Sequence, residues 1–373
     1  MRPGQIVMAL VLAAACAFAG EPAAPNLLKW FDRNGDGALA EDELPERLRQ
    51  RWGPVLKLAD TNHDGKIDAA ELAAIADKRK AKLSEGPALP ASLGVLQTVT
   101  VGGLEREYIV YAPKALAGPA PLVLVFHGGG GNARSMTRLG FNTLADKDGF
   151  VAAYPHAIDG HWNDGRDAAL FRSQREKIDD VAFVRALVDA VAKQRPIDRS
   201  RVFATGVSNG GIFCHRLAAD ASDLVAAVAP VIGGMAEPVA KRFAPEHPVS
   251  LLVIQGDADP LVPIDGGYVA RNRGRVIATQ DAVGRYLTLD GILGQPAKTA
   301  LPDSAPNDGT TTSVTTYPPG PKGFRVQVYI SHNGGHQWPG SAQRLPEALV
   351  GKTVEDFKAT DVVWRFFQSC PSR

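Results

Sequence analysis

From about residue 95 onward the apolar positions fall into two alternating patterns. Pro121 to Phe126, Phe150 to Tyr154, Arg201 to Thr205, Leu224 to Ile232, Val249 to Gln255 and Phe324 to Ile330 are short, nearly continuous apolar runs of strand length. Between such runs Val181, Val184, Leu187, Val188 and Val191 recur at helical spacing behind the acidic start Asp179-Asp180. Ile212 to Ala218 also reads as helix, and Val354, Phe357, Val362, Val363, Trp364, Phe366 and Phe367 supply a last one. Continuous apolar strands are those covered on both faces, so this order predicts an α/β domain around a mostly parallel sheet. Gln97 to Val101 and Tyr108 to Tyr111 predict an antiparallel hairpin around Gly102-Gly103 at its start.

The pattern before residue 95 is of another kind. Met1 to Ala19 has one early charge, Arg2, then an apolar stretch ending Ala17-Phe18-Ala19, which predicts a secretory signal cleaved before Gly20 and a secreted or periplasmic protein. Lipidation at Cys16 is the alternative, and no other stretch has the length and apolarity for a membrane span. Next come two loops of 12 residues, Asp32 to Glu43 and Asp60 to Glu71, flanked by Leu27, Leu28, Trp30 and Phe31 on entry and Leu72, Ile75 and Ala76 on exit. Each has oxygen ligands at positions 1, 3 and 5, a backbone carbonyl at 7 and a closing glutamate at 12, as an EF-hand pair binding Ca2+ requires. The expected ligands are Asp32, Asn34, Asp36, Ala38 and Glu43, then Asp60, Asn62, Asp64, Lys66, Asp68 and Glu71, with Ala38 and Lys66 acting through their carbonyls. The second loop carries the extra carboxylate Asp68 where the first has Ala40, so it is expected to bind more tightly. Leu39 and Ile67 stand at position 8, where paired loops can share a short β bridge. The predicted organisation is a signal at 1–19, an EF-hand pair at 20–84, a proline- and glycine-rich linker at 85–94 and an α/β domain at 95–373.

Composition narrows the partners. The 41 basic and 40 acidic residues of the 373-residue chain are interspersed and leave a net charge of +1, so no basic face is present for nucleic acid. With Cys16 in the signal, Cys214 and Cys370 remain, and the sequence leaves open whether they pair.

Candidate chemistry centres on Gly206-Val207-Ser208-Asn209-Gly210, between the strand run Arg201 to Thr205 and the helix beginning near Ile212. A sharp strand-to-helix turn of this kind lifts a serine hydroxyl clear of the sheet and makes it a nucleophile. The strand Pro121 to Phe126 ends in His127-Gly128-Gly129-Gly130-Gly131; such a loop supplies one oxyanion N–H, here near Gly129, and the residue after the nucleophile, Asn209, supplies the other. No Lys-Ser or Lys-Thr follows the glycines, which argues against a phosphate loop, and His127 is read as structural. In the order serine, acid, histidine, the acid is Asp257 or Asp259 and the base His332 or His336, with His336 favoured by its place in a flexible glycine-rich loop. The polar loop His161 to Arg166 can line a cleft or form a structural turn, and Trp162 and Trp338 are candidates for flat walls of a substrate site.

From about Leu96 to Phe367 the chain resembles the secreted esterases grouped as polyhydroxybutyrate depolymerase and feruloyl esterase-like proteins of the α/β-hydrolase superfamily. The motifs that carry this are Tyr111-Ala112-Pro113, His127 to Gly130, Trp162 to Arg166, Asp179 to Phe183, Gly206 to Gly211, Gly256 to Pro263 and Gly335 to Gly340, in that order. The resemblance implies Ser208 as nucleophile, Asp259 rather than Asp257 as acid and His336 as base. It also implies a serine ester hydrolase needing no cofactor for catalysis. Feruloyl, acetyl or other small esters are the expected substrates, ahead of polyhydroxybutyrate. A calcium-stabilised binding protein without activity, and hydrolysis of a peptide or amide, are the other readings. Asp265 to Lys322 holds none of the cysteines that family members often carry there and reads as a long, partly irregular excursion over the site.

Overall fold

The apolar runs stand side by side at the centre of a ten-stranded sheet. The computed structural model describes residues 32–44, 49, 56, 59–72, 83–342 and 345–373, the Arg271 side chain excepted. The expected signal peptide at 1–19 and the helix positions Leu27, Leu28, Trp30, Phe31, Ile75 and Ala76 lie outside the described residues. β1 (Ala38–Ala40) and β2 (Lys66–Asp68) pair in the N-terminal segment, and β3 (Val95–Val101) with β4 (Leu104–Tyr111) forms the expected hairpin. Then follow β5 (Ala120–Phe126), β6 (Val151–Pro155), β7 (Ile197–Val207), β8 (Ala227–Val231) and β9 (Ser250–Gly256). A small ribbon of β10 (Gly267–Tyr268) and β11 (Arg275–Val276) precedes β12 (Ala297–Ala300), β13 (Thr311–Thr316) and β14 (Val326–His332).

The sheet order is β12-β13-β14-β9-β8-β7-β5-β6-β4-β3. It is parallel from β14 through β6 and extended on each side by two antiparallel strands. This is the α/β-hydrolase arrangement. Every residue of β5, β6, β8 and β9 is buried, as their uninterrupted apolar character requires. Alternate residues of β5 serve two cores. Leu122, Leu124 and Phe126 pack with Val184, Leu187 and Val191 of α2 (Asp180–Gln194) and Phe213 of α3 (Asn209–Asp220). Val123 and Val125 face α1 (Phe141–Asp148) and α5 (Ala359–Ser369) on the other side. Asp179 caps α2, its carboxylate accepting from Ala182 N–H at 2.8 Å.

Three expectations need correction or completion. Val354 and Phe357 precede the last helix, which begins at Ala359. The excursion Asp265 to Lys322 is partly irregular, as expected, but it also joins the main fold: it supplies α4 (Thr279–Leu289), the edge strand β12 and its neighbour β13. Its signal is weak because β13 reads Thr-Thr-Ser-Val-Thr-Thr, in which only Thr312 and Val314 are buried. Cys214 and Cys370 are free, buried thiols, and they belong to the cores on opposite faces of the sheet.

Leu83 and Ser84, ahead of β3, are fastened to the sheet. The N–H groups of Leu83 and Ser84 donate to the buried Glu107 carboxylate at 2.5 and 2.9 Å, and Arg134 donates to Leu83 C=O at 2.9 Å. Among the described residues no helix is long and apolar enough to cross a membrane. The sheet also locates a site. After β5 the chain goes to β6 on one side and then to β7 on the other, and ligands of open α/β sheets bind where strand order reverses in this way, beyond the strands' carboxyl ends.

Candidate active site

Ser208 sits at that point, between the end of β7 and the first residue of α3. Its backbone is strained, with φ 55° and ψ −117°, and is held by Ser208 N–H donating to Val231 C=O at 3.0 Å and Ile212 N–H donating to Ser208 C=O at 2.8 Å. The flanking glycines are obligatory. A Cβ on Gly206 would lie 2.7 Å from the carbonyl carbon of Gly210, and one on Gly210 would lie 2.5 Å from the Phe126 carbonyl oxygen.

Asp259 and His336 follow the carboxyl ends of the neighbouring strands β9 and β14 and meet at 2.7 Å, Asp259 Oδ2 to His336 Nδ1. The carboxylate is fully buried and its other oxygen accepts the N–H groups of Leu261 and Val262 at 2.8 and 2.9 Å. A carboxylate that only accepts assigns the ring proton to Nδ1, so Nε2 keeps its lone pair and can take a proton. Asp257 and His332, the competing sequence candidates, pair with each other at 2.9 Å on the surface.

The residue after the serine is fixed from behind. Asn209 Oδ1 accepts Trp162 N–H at 2.8 Å, and its amide group donates to Trp162 C=O at 3.2 Å and to Asp164 Oδ2 at 2.6 Å. Asp164 is itself buried against Arg166 at 2.8 Å and Gln174 at 3.0 Å. The loop His161 to Arg166 is therefore a brace that orients the start of α3. On the opposite side, the N–H groups of Gly130 and Gly131 are committed to Gly160 and Gly128 carbonyls at 2.8 and 2.9 Å. That leaves Gly128 and Gly129 beside the turn, and a Cβ on Gly129 would stand 3.6 Å from Asn209 Cβ. His127 is buried and neutral: burial drives its pKa down to about 3, Nδ1 donates to Gly128 C=O at 2.8 Å and Nε2 accepts Ala157 N–H at 3.1 Å.

Neither tryptophan is a cleft wall. Trp162 has no exposed surface; its ring stacks on Phe213 and its indole N–H donates to His127 C=O at 2.9 Å. Trp338 is 6% exposed, edge-on to Phe141, with its indole N–H on Thr360 Oγ1 at 3.2 Å. Both are flat aromatic residues in conspicuous motifs, but their buried N–H groups need internal partners, and the core supplies them. Beside the glycine loop lie instead His161, from the polar loop the sequence marked, and Phe171, which it did not. His161 Nε2 would lie 3.1 Å from a Cβ on Gly129, and half-buried Phe171 stacks on the His161 ring at 3.9 Å.

Comparison with known proteins decides what this geometry belongs to. The family model "Esterase PHB depolymerase" matches residues 106–247, and the EF-hand model matches 55–76. NocK of Nocardia uniformis subsp. tsuyamanensis, a protein named as an esterase, is 34% identical over 306 residues, covering 79% of this chain and 88% of the relative. The chain belongs to the PHB depolymerase esterase family. It is a carboxylic ester hydrolase. A relative named as feruloyl esterase C of Aspergillus flavus is 27% identical over 274 residues, covering 71% of this chain and 84% of its own. An acetyl xylan esterase structure from Aspergillus awamori aligns at 16% identity and a TM-score of 0.46, over 65% of this chain and 94% of that one.

The esterase's two N-terminal loops also meet in the structure. β1 and β2 pair antiparallel with Leu39 opposite Ile67. Carboxylate oxygens of Asp32, Asp36 and Glu43 converge within 4.8 Å of one another, a donor set of hard oxygens that fits Ca2+. Glu43 accepts the N–H groups of Arg33 and Ala40 at 2.8 and 2.9 Å, and Glu71 accepts Thr61 N–H at 2.6 Å. Lys66 of the second loop reaches Asp36 of the first at 2.5 Å.

Proposed function

We propose that this esterase works through a Ser208-His336-Asp259 triad and an acyl-enzyme, and that it is an exported enzyme of small or carbohydrate-linked esters of feruloyl or acetyl type. The observation that carries the reading is the buried Asp259–His336 pair at 2.7 Å, placed beyond the same edge of the sheet as the strained turn of Ser208. His336 Nε2 takes the Ser208 proton as Oγ attacks the ester carbonyl, and Asp259 stabilises the imidazolium. The N–H groups of Asn209 and Gly129 receive the oxyanion. The alcohol leaves with the proton from His336, and water, deprotonated by the same ring, releases the acid.

Relatives named as feruloyl esterases support the aromatic-acyl choice. The tryptophans lend it no support. The family name favours a second reading, polyhydroxybutyrate hydrolysis. Kinetics on feruloylated and acetylated sugars, hydroxyalkanoate oligomers and polymer film separate the two: turnover of the sugar esters supports the first, and film clearing without it supports the second.

Calcium in the EF-hand loops is proposed to be structural, its charge drawing the loop carboxylates and the Ala38 and Lys66 carbonyls together, with no step in catalysis. Lys66 partly neutralises Asp36, which fits weaker binding in the first loop than in the second. Calorimetry on the intact chain is expected to give affinities of roughly 0.1 to 1 mM. Sub-micromolar binding with exposure of an apolar groove would make the pair a sensor instead.

A further inference from the structure

Two residues before Asp259 stands Asp257, and four before His336 stands His332. Their bond is one of several that tie the acid loop to the histidine loop. Asp257 Oδ2 accepts His332 Nδ1–H at 2.9 Å while Oδ1 accepts Asn333 N–H at 2.8 Å. Asp257 N–H donates to Ser331 C=O and Ala258 N–H to Gly334 C=O, both at 3.1 Å. The two loops touch so closely that a Cβ on Gly256 would lie 2.2 Å from Gly334 O. Asn333, between His332 and Gly334, takes a positive φ of 58°. On the far side of the His332 ring, Ser313 Oγ of β13 lies 3.1 Å from Nε2.

Ser313, His332 and Asp257 thus repeat the atom order of a catalytic triad, but their setting is wrong for chemistry. Ser313 lies in β13 between β12 and β14, where strand amides are taken up by ladders on both sides, so an oxyanion there meets no preorganised donor. The pair is also open to water, with His332 49% and Asp257 37% exposed. An exposed pair adds little to global stability. A shift of about 1 Å at a reacting centre, in contrast, costs about a hundredfold in rate. The consequence of this contact is therefore expected in catalysis.

We propose that Asp257 and His332, backed by Ser313, are positioning residues: they clasp the histidine loop to the acid loop and so hold His336 in line between Asp259 and Ser208. This rests on the triad reading above. It is tested by measuring kcat, KM, Tm and the rate of inactivation by a fluorophosphonate for His332→Ala, Asp257→Ala and His332→Asn. The alanine variants are expected to lose roughly ten- to a hundredfold in kcat and in inactivation rate, with KM within about twofold and Tm close to the parent. His332→Asn keeps an N–H donor toward Asp257 and is expected to recover most of the loss. Parent-like kcat in His332→Ala overturns the proposal, as does a loss that follows Tm and is not relieved by asparagine. Ser208→Ala measured alongside separates the failures: if it stays active the triad reading itself is wrong, and if it is inactive while His332→Ala is unimpaired only the clasp is wrong. Fluorophosphonate labelling of Ser313 in Ser208→Ala would make Ser313 a nucleophile and also overturn the positioning role.

Discussion

The two aspartate–histidine pairs beyond β9 and β14 are built from the same atoms at nearly the same distance, 2.7 Å for Asp259–His336 and 2.9 Å for Asp257–His332. Burial separates them. In the inner pair the carboxylate side chain is 0% and the imidazole 6% exposed, against 37% and 49% in the outer pair. With water excluded, a carboxylate steers an imidazolium at an effective dielectric far below that of bulk water, whereas the outer attraction is largely screened. In the proposed mechanism the inner pair drives proton transfer, and the proposed role of the outer one is to hold two loops together.

The sharpest way to break this comparison is the same substitution at both depths. Asp259→Asn is expected to lower kcat by about ten-thousandfold, the scale of a triad that loses its acid. Asp257→Asn should cost far less, because its Oδ1 can still accept Asn333 N–H. Equal losses in steady-state kinetics would show that depth is irrelevant.

Trp162 sharpens the contrast from another side, since it touches the brace behind Asn209 but not solvent. Trp162→Ala is expected to destabilise by about 3–5 kcal/mol in denaturant unfolding, as loss of a buried aromatic does. A normal unfolding midpoint with a raised KM would return it to the substrate site.

Asp290 supplies a buried carboxylate without the inner pair's partners. One oxygen accepts Val249 N–H at 3.1 Å, the other has no hydrogen-bond partner, and burial pushes its pKa up to about 7. Unfolded, it ionises near the ordinary 3.8; folded, it stays protonated to about 7. Its contribution to stability is therefore complete below about pH 4 and lost as pH rises through about 7, a difference of up to about 4 kcal/mol. Asp290→Asn should flatten that part of the stability profile and raise Tm at pH 8. An unchanged profile would mean that Asp290 is already ionised in the fold.

The smallest expected effect is that of calcium. At a concentration tenfold above Kd, binding to the folded loops adds about 1.4 kcal/mol per site, so a chelator should lower the melting of the N-terminal segment and leave kcat nearly unchanged. A large fall in kcat would connect the EF-hand pair to the catalytic site, and the Leu83–Glu107 contact would be the place to look.

Much of this was legible in the sequence. The central strands could be found because they are buried on both faces and so read as unbroken apolar runs, and the EF-hand loops because their ligand spacing is fixed residue by residue. Asp259 over Asp257 was not settled by the residues alone: both follow β9, and burial, which separates them, has no local signature. Trp162 and Trp338 misled because an aromatic residue in a conspicuous motif packs into a core as readily as it faces a cleft. The strand β13 stayed hidden because threonine and serine give almost no period-2 contrast, β12 because all four of its residues are exposed, and the clasp because it joins residues 75 apart in the chain.

The central claim is that Ser208 carries the acyl group. Intact-protein mass spectrometry after mixing with an activated aryl ester, followed by peptide mapping, tests it directly. One acyl group per chain is expected on the peptide containing Ser208, with none in Ser208→Ala and hydrolysis by that variant reduced roughly a million-fold. Acylation of another residue, or hydrolysis by Ser208→Ala within about tenfold of the parent, would contradict it.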